Sequence, residues 1–133
     1  MMEQDLRTRL KAGQALTDRV GDRIDWGLRP AATALPAVTL TVVSAPVQYT
    51  YLGRQRLRWA RIQIDVWAAT YKDAATVAAL LPPLIEPKET VGATDFKGAF
   101  VSMEIDADPE EAAGGTLIHR RIVEFIVWHR PAD

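Results

Sequence analysis

The stretch that decides the fold is residues 53–71, GRQRLRWARIQIDVWAATY. From Arg54 onward it reads as one long strand, because successive side chains of a strand point to opposite faces. Ala60, Ile62, Ile64, Val66 and Ala68 fall on one face; Leu57, Trp59, Arg61, Gln63, Asp65 and Trp67 fall on the other. The first set is a core face. The second carries two tryptophans beside an arginine and an aspartate, which a solvated face does not normally do. Aromatic residues and Arg, with Lys absent, are the composition of a protein–protein interface. The competing reading is a second face covered by the chain's own loops. The strand points to an assembly subunit before it points to an enzyme.

Before this strand, residues 46–53 lead through a hairpin with Gly53 as its turn residue. Residues 37–45 read as a strand, with Val38, Leu40 and Val42 on one face and Thr39 and Thr41 on the other. Residues 26–36 are punctuated by Gly27, Pro30 and Pro36 and read as a loop. A helix is expected over residues 2–12, where Leu6 and Leu10 share a face, with Gly13 as its end signal and a further turn over residues 15–20. After the long strand, a second helix is expected over residues 71–84. Its stripe is Val77, Leu80, Leu81 and Leu84, Asp73 suits its N-terminal dipole, and Pro82 marks an end or a kink. A third strand over residues 99–105 places Val101, Met103 and Ile105 together; residues 106–115 read as an acidic loop. A fourth strand over residues 116–129 carries Val123, Phe125 and Val127 on one face and Ile118, Arg120, Ile122, Glu124, Ile126 and Trp128 on the other.

These elements predict a single α+β domain over residues 1–133: a mainly antiparallel four-stranded sheet with two helices packed on one face. The expected core between sheet and helices is Ile62, Ile64, Val66, Leu80, Val101, Met103, Val123 and Phe125. The opposite face, with Trp59, Arg61, Asp65, Trp67, Glu124 and Trp128, is too apolar to stand in water. Its charges have both signs, so they are expected to pair across strands or across subunits.

Composition narrows the function. A chain of 133 residues, 48% hydrophobic and 25% charged, is an ordinary globular domain, and a net charge of −1 provides no global field for nucleic acid. There is no cysteine, so disulfide and thiolate chemistry are excluded. The N-terminal stretch is amphipathic and carries acidic residues, unlike a signal peptide. The longest apolar run, residues 74–85, is too short to span a membrane and contains Pro82 and Pro83. No membrane partner is expected.

No catalytic, cofactor-binding or metal-binding set emerges. His119 and His129 are about 33 Å apart along a strand and cannot share a metal. Asp106, Asp108, Glu110 and Glu111 resemble a calcium loop superficially, but Glu111 stands where its glycine must be and Leu117 where its bidentate Glu must be. No nucleophile elbow or phosphate-cradling loop is present. The concentrated charge is Arg54, Arg56, Arg58 and Arg61, flanked by Tyr49 and Tyr51. It reads either as a solvated edge or as a contact with phosphate or with acidic groups of a neighbour. Asp106 and Asp108, with Glu110 and Glu111, are candidate mates for it.

The run from Arg61 to Tyr71, RIQIDVWAATY, followed by Ala74, Val77 and Leu80, resembles the tail-completion proteins of long-tailed phages. HRRIVEFIVW from His119 to Trp128 is similar to that family's closing strand. Val20-Gly21-Asp22-Arg23-Ile24 and Leu35-Pro36-Ala37-Val38 fit its early pattern, so the resemblance spans nearly the whole chain. It implies a tail terminator: a non-enzymatic subunit of a hexameric ring at the head-proximal end of a virion tail. Such a ring caps the tail tube, stops its polymerisation and meets the head connector or stopper protein. DNA passes through it without sequence-specific binding. Assembly would take place in the bacterial host cytoplasm, and the particle would be a phage, a prophage product or a gene transfer agent. The resemblance carries no cofactor and no catalytic residue. Two other readings stay open: a small ligand-binding or enzymatic α+β domain that uses the sheet face as a pocket, and a head–tail connector component.

Overall fold

The computed structural model describes residues 1–30 and 34–133. Two helices open the chain, α1 (Met2–Lys11) and α2 (Gln14–Val20). Helix α1 buries Met2, Leu6, Arg9 and Leu10 at helical spacing, with Glu3 and Asp5 in its first turn and Arg9 and Lys11 in its last, the charge order its dipole favours. Gly13 separates the helices and caps the second. A Cβ there would lie 2.6 Å from a terminal methyl of Leu84, so a larger residue at this turn would push the Leu84 side chain aside.

The strands are β1 (Ile24–Trp26), β2 (Ala37–Ser44), β5 (Arg58–Ala68), β6 (Glu89–Val91), β7 (Thr94–Glu111) and β8 (Leu117–Pro131), in the order β1-β2-β5-β8-β7-β6. Strands β3 (Tyr49–Thr50) and β4 (Gly53–Arg54) pair separately as a small hairpin. The expected four-stranded sheet is therefore the centre of a six-stranded mixed one. The added edge strands are three residues each, too short for alternation to reveal, and β1 runs parallel to β2. Part of the loop expected over residues 26–36, residues 31–33, lies outside the described residues; its first residue, Trp26, belongs to β1.

Helix α3 (Tyr71–Ala79) begins where the Thr70 side chain accepts the Asp73 amide at 3.1 Å, which ends the long strand earlier than Tyr71. The expected helix over residues 71–84 breaks at Leu80. Helix α4 (Leu81–Ile85) restarts with Pro82 in its first turn, where a missing N–H costs little. Leu80 is consequently half-buried, and Leu81 and Ile85 enter the core in its place. All four helices lie against the face of Leu40, Ile62, Ile64, Val66, Val123 and Phe125.

Strand β7 is where expectation and structure differ most. It runs through residues 106–111, so the acidic segment is a strand paired to β8 (Asp106 opposite Arg121) rather than a loop. Its pairing slips between Val101 and Met103. Val101 faces Phe125 on the core side, but Met103 faces Glu124 and Ile105 faces Ile122 on the other side. A bulge adds one residue and reverses the alternation. Met103, expected in the core, is 40% exposed.

Candidate assembly interface

The arginine end is built by the β3–β4 hairpin and the start of β5. Gly53 has φ +108°, a conformation that suits a turn glycine. The residues at the tip, Tyr51 and Leu52, are fully exposed. The chain leaves regular pairing between β4 and β5, so the strand does not run unbroken from Arg54, and Arg54, Arg56 and Arg58 do not share the one strand face that such a run would give them. They converge instead on a cleft of about 490 Å³ shared with His129, Arg130 and the chain's N-terminal residues. Arg56 is held by the Pro131 carbonyl and the Asp133 carboxylate, each at 3.0 Å. Arg54 meets Tyr49, donating to its hydroxyl at 3.3 Å and lying 5.9 Å from its ring centre. Arg58 makes no ion pair among the described residues, and its Nε is buried without a hydrogen-bond acceptor. Burial lowers the pKa of His129, the nearby Arg58 cation lowers it further, and Glu3 opposes both.

The acidic end lies at the far end of the sheet. Asp106 accepts from the Tyr71 hydroxyl at 2.8 Å and pairs with Arg121 at 3.5 Å, and Arg121 also reaches Glu104 at 3.8 Å. Glu110 reaches Arg29 at 4.0 Å. Asp108 and Glu111 are exposed and make no ion pair among the described residues. Asp106 sits opposite Arg121 and Arg58 sits opposite His129 on the same strand. At about 3.3 Å per residue the two ends are roughly 26 Å apart, so they cannot pair within one copy.

The sheet face between these ends is layered. Trp59 opposes Trp128 at the arginine end, both half-buried. Next, Arg61 pairs with Glu124, which also accepts from Ser102 Oγ at 2.9 Å. Higher up, Asp65 is held by Arg120 at 2.7 Å and by Gln63 at 2.9 Å. Trp67 donates to Thr39 at 3.1 Å, and the guanidiniums of Arg29 and Arg120 lie over its ring, 5.0 and 4.9 Å from the centre. The charges of this face thus pair across strands inside one copy, and Arg29 from the loop after β1 covers its upper part. The lower part remains open along β7, where Phe100 is 52% exposed beside Met103. Sequence reading placed Arg120 on this face but missed Phe100, Ser102 and Arg29 as parts of it. Gly98 inside a strand run was the available signal for the first two, since such a glycine often marks a bulge. Among the described residues no cluster of acidic or histidine side chains is arranged to hold a metal, and no helix is long and apolar enough to cross a membrane.

A family model described as Tail completion protein gp17 matches residues 4–130. No curated protein sequence matches the chain. A chain in a structure titled "Virion of native gene transfer agent (GTA) particle" is similar in fold, with a TM-score of 0.69 at 14% identity, covering 98% of this chain and 94% of that one. A second solved chain has a TM-score of 0.59 at 15% identity, covering 99% and 94%.

Proposed function

This chain belongs to the Tail completion protein gp17 family, a family of structural tail proteins, and from that membership we propose that it is the tail terminator of a phage-like particle. In this reading six copies form a ring that caps the finished tail tube, stops its polymerisation and joins it to the head connector. The observation that carries the ring is unmatched charge at opposite ends of one subunit: Arg54 and Arg58 at one, Asp108 and Glu111 at the other. Each set lacks an ionic mate among the described residues of its own copy and finds one in the next. A contact between two different patches is heterologous, and a heterologous contact whose rotation closes makes a ring rather than a filament. Single exposed pairs are worth about 0–1 kcal/mol, so several must act together.

The ring sits at the head-proximal end of the virion tail, is assembled in the bacterial host cytoplasm, and acts through surfaces rather than catalysis. DNA passes through it without sequence-specific binding. A lumen studded with phosphate contacts would gain affinity with each one and oppose sliding. The arginine cleft supports a second reading, a binder of small anionic ligands. Solution mass and negative-stain images, with and without isolated tail-tube ends, separate the two. Rings of tail width support the terminator. A chain that stays monomeric beside tube ends overturns it.

A further inference from the structure

We propose that the tip of the β7–β8 hairpin of one copy, residues 108–116, enters the arginine cleft of the next, where Asp108 and Glu111 meet Arg54 and Arg58. The inference rests on the ring reading above and names the two segments that make its joint.

The hairpin tip stands clear of its own sheet. Strand β5 ends at Ala68, opposite His119, whereas β7 and β8 go on pairing through Glu110 with Ile118 and Glu111 with Leu117. The chain then reverses through Ala112, Ala113, Gly114 and Gly115. The Ala112 amide donates to the Thr116 carbonyl at 2.7 Å and the Gly115 amide to the Ala112 carbonyl at 3.1 Å, so the tip is hydrogen-bonded to itself. Gly114 and Gly115 have φ of +87° and +80°, a conformation that glycine adopts without strain. With no side chain larger than a methyl group at the reversal, the tip is narrow enough to enter a cleft. Its carboxylates stand just behind it. The pairing slips between Ala107 and Glu110, which leaves Asp108 outside the ladder. Neither Asp108 nor Glu111 makes an ion pair among the described residues.

The cleft complements this tip in charge. Two of its arginines are engaged, Arg56 by Asp133 and Arg130 by Asp95. Arg54 and Arg58 make no ion pair among the described residues, and Arg58 Nε is buried without an acceptor. A buried donor left unpaired is costly, and a carboxylate is the acceptor that suits a guanidinium best. Glu3 is the acidic side chain on the wall. Helix α1 begins at the same wall with no side-chain cap, so the positive end of its dipole adds to the field.

A copy cannot make this contact with itself. At about 3.3 Å per residue, Leu117 and His129 on β8 are roughly 40 Å apart. Each copy therefore offers its tip to one neighbour and its cleft to the other. Because tip and cleft lie at opposite ends of the sheet, the next copy is displaced along the strands, and the edge pairings of β1 and β6 stay as they are.

Charge exchange tests the joint. Arg54→Glu/Arg58→Glu has acidic groups in both tip and cleft, and Asp108→Arg/Glu111→Arg has basic groups in both. Under conditions in which the parent forms rings, each variant alone should form none while keeping the parent's far-UV spectrum. Mixed in equal amounts they should restore rings in which the two variants alternate, because each tip then meets a cleft of opposite sign. The Ala113→Cys/Gln55→Cys double variant serves if either charge variant fails to fold, since Gln55 lines the cleft and the chain has no cysteine of its own. A disulfide needs Cα atoms about 4.4–6.8 Å apart, so these two cannot join within one copy. Oxidised in the ring, the double variant should give a covalent ladder on a non-reducing gel, and either single variant nothing beyond a dimer. Rings from each charge variant alone, no rings from the folded mixture, or double-cysteine rings that stay unlinked would overturn this joint while leaving the ring intact. A parent chain that forms no ring beside tube ends would overturn both.

Discussion

Phe125 is fully buried on β8, opposite Ile62 on one side and Val101 on the other, under the helices. Replacing it with Ala leaves a cavity where the sheet cannot collapse, and should cost about 3–5 kcal/mol. Chemical denaturation of the parent and of Phe125→Ala measures this; equal midpoints would place the last strand the wrong way round. His129 ties stability to pH. Its pKa is depressed in the fold by burial and by Arg58, so the unfolded chain binds the proton more readily. Its contribution is therefore complete above the ordinary histidine pKa of about 6.5 and is lost as pH falls toward the depressed value. The urea midpoint of the parent should fall between pH 7.5 and 5.5 by more than that of His129→Gln. Parallel curves would show that His129 titrates as it does in the open chain. At this scale the core of β5 and β8 was legible, because alternation alone assigns Ile62, Ile64, Val66, Val123 and Phe125. Arg9 was not. It reads as one more charge on an amphipathic helix, yet it is buried, donating to the Pro87 carbonyl at 2.6 Å and pairing with Glu89 at 3.1 Å. Its partners are more than seventy residues away in sequence, and no local pattern announces them.

The elements legible in sequence were those whose periodicity runs unbroken: α1, β2, the body of β5, α3 and β8. Strand β7 was obscured by its own irregularities. The slips at Phe96/Gly98 and Val101/Met103 move its apolar residues from one face to the other, and a run of carboxylates disguises its upper half as a loop. The arginine hairpin was legible as a protrusion, although its turn falls at Tyr51 and Leu52 and Gly53 begins the return strand. The convergence of its arginines on a cleft with His129 was not, because it depends on how β4 meets β5. The Arg54→Glu/Arg56→Glu/Arg58→Glu triple variant tests the hairpin as a unit. These side chains sit outside the helix-packed core, so the variant should fold and keep its far-UV spectrum. It should lose ring assembly, because carboxylates then replace the two unmatched arginines, Arg54 and Arg58, and face the carboxylates of the next copy. Rings of normal abundance from the folded variant would remove the hairpin from the interface.

At the scale of the molecule, one sheet face is closed by four helices, and the other closes itself over its upper half and stays open below. The helix-covered face makes a stable subunit. The open one, with opposite charge at opposite ends, is the face the proposed ring would turn to its neighbours. Sequence alone carried the α+β class and the family. It did not carry the width of the sheet, because short edge strands owe their existence to pairing with longer ones rather than to their own residues. Tail length is the direct measure of a terminator. Electron microscopy of particles from a producing strain lacking this gene should show tails of irregular, extended length without heads. Supplying the intact chain should restore uniform tails joined to heads. Uniform, head-joined tails in its absence would contradict the assignment.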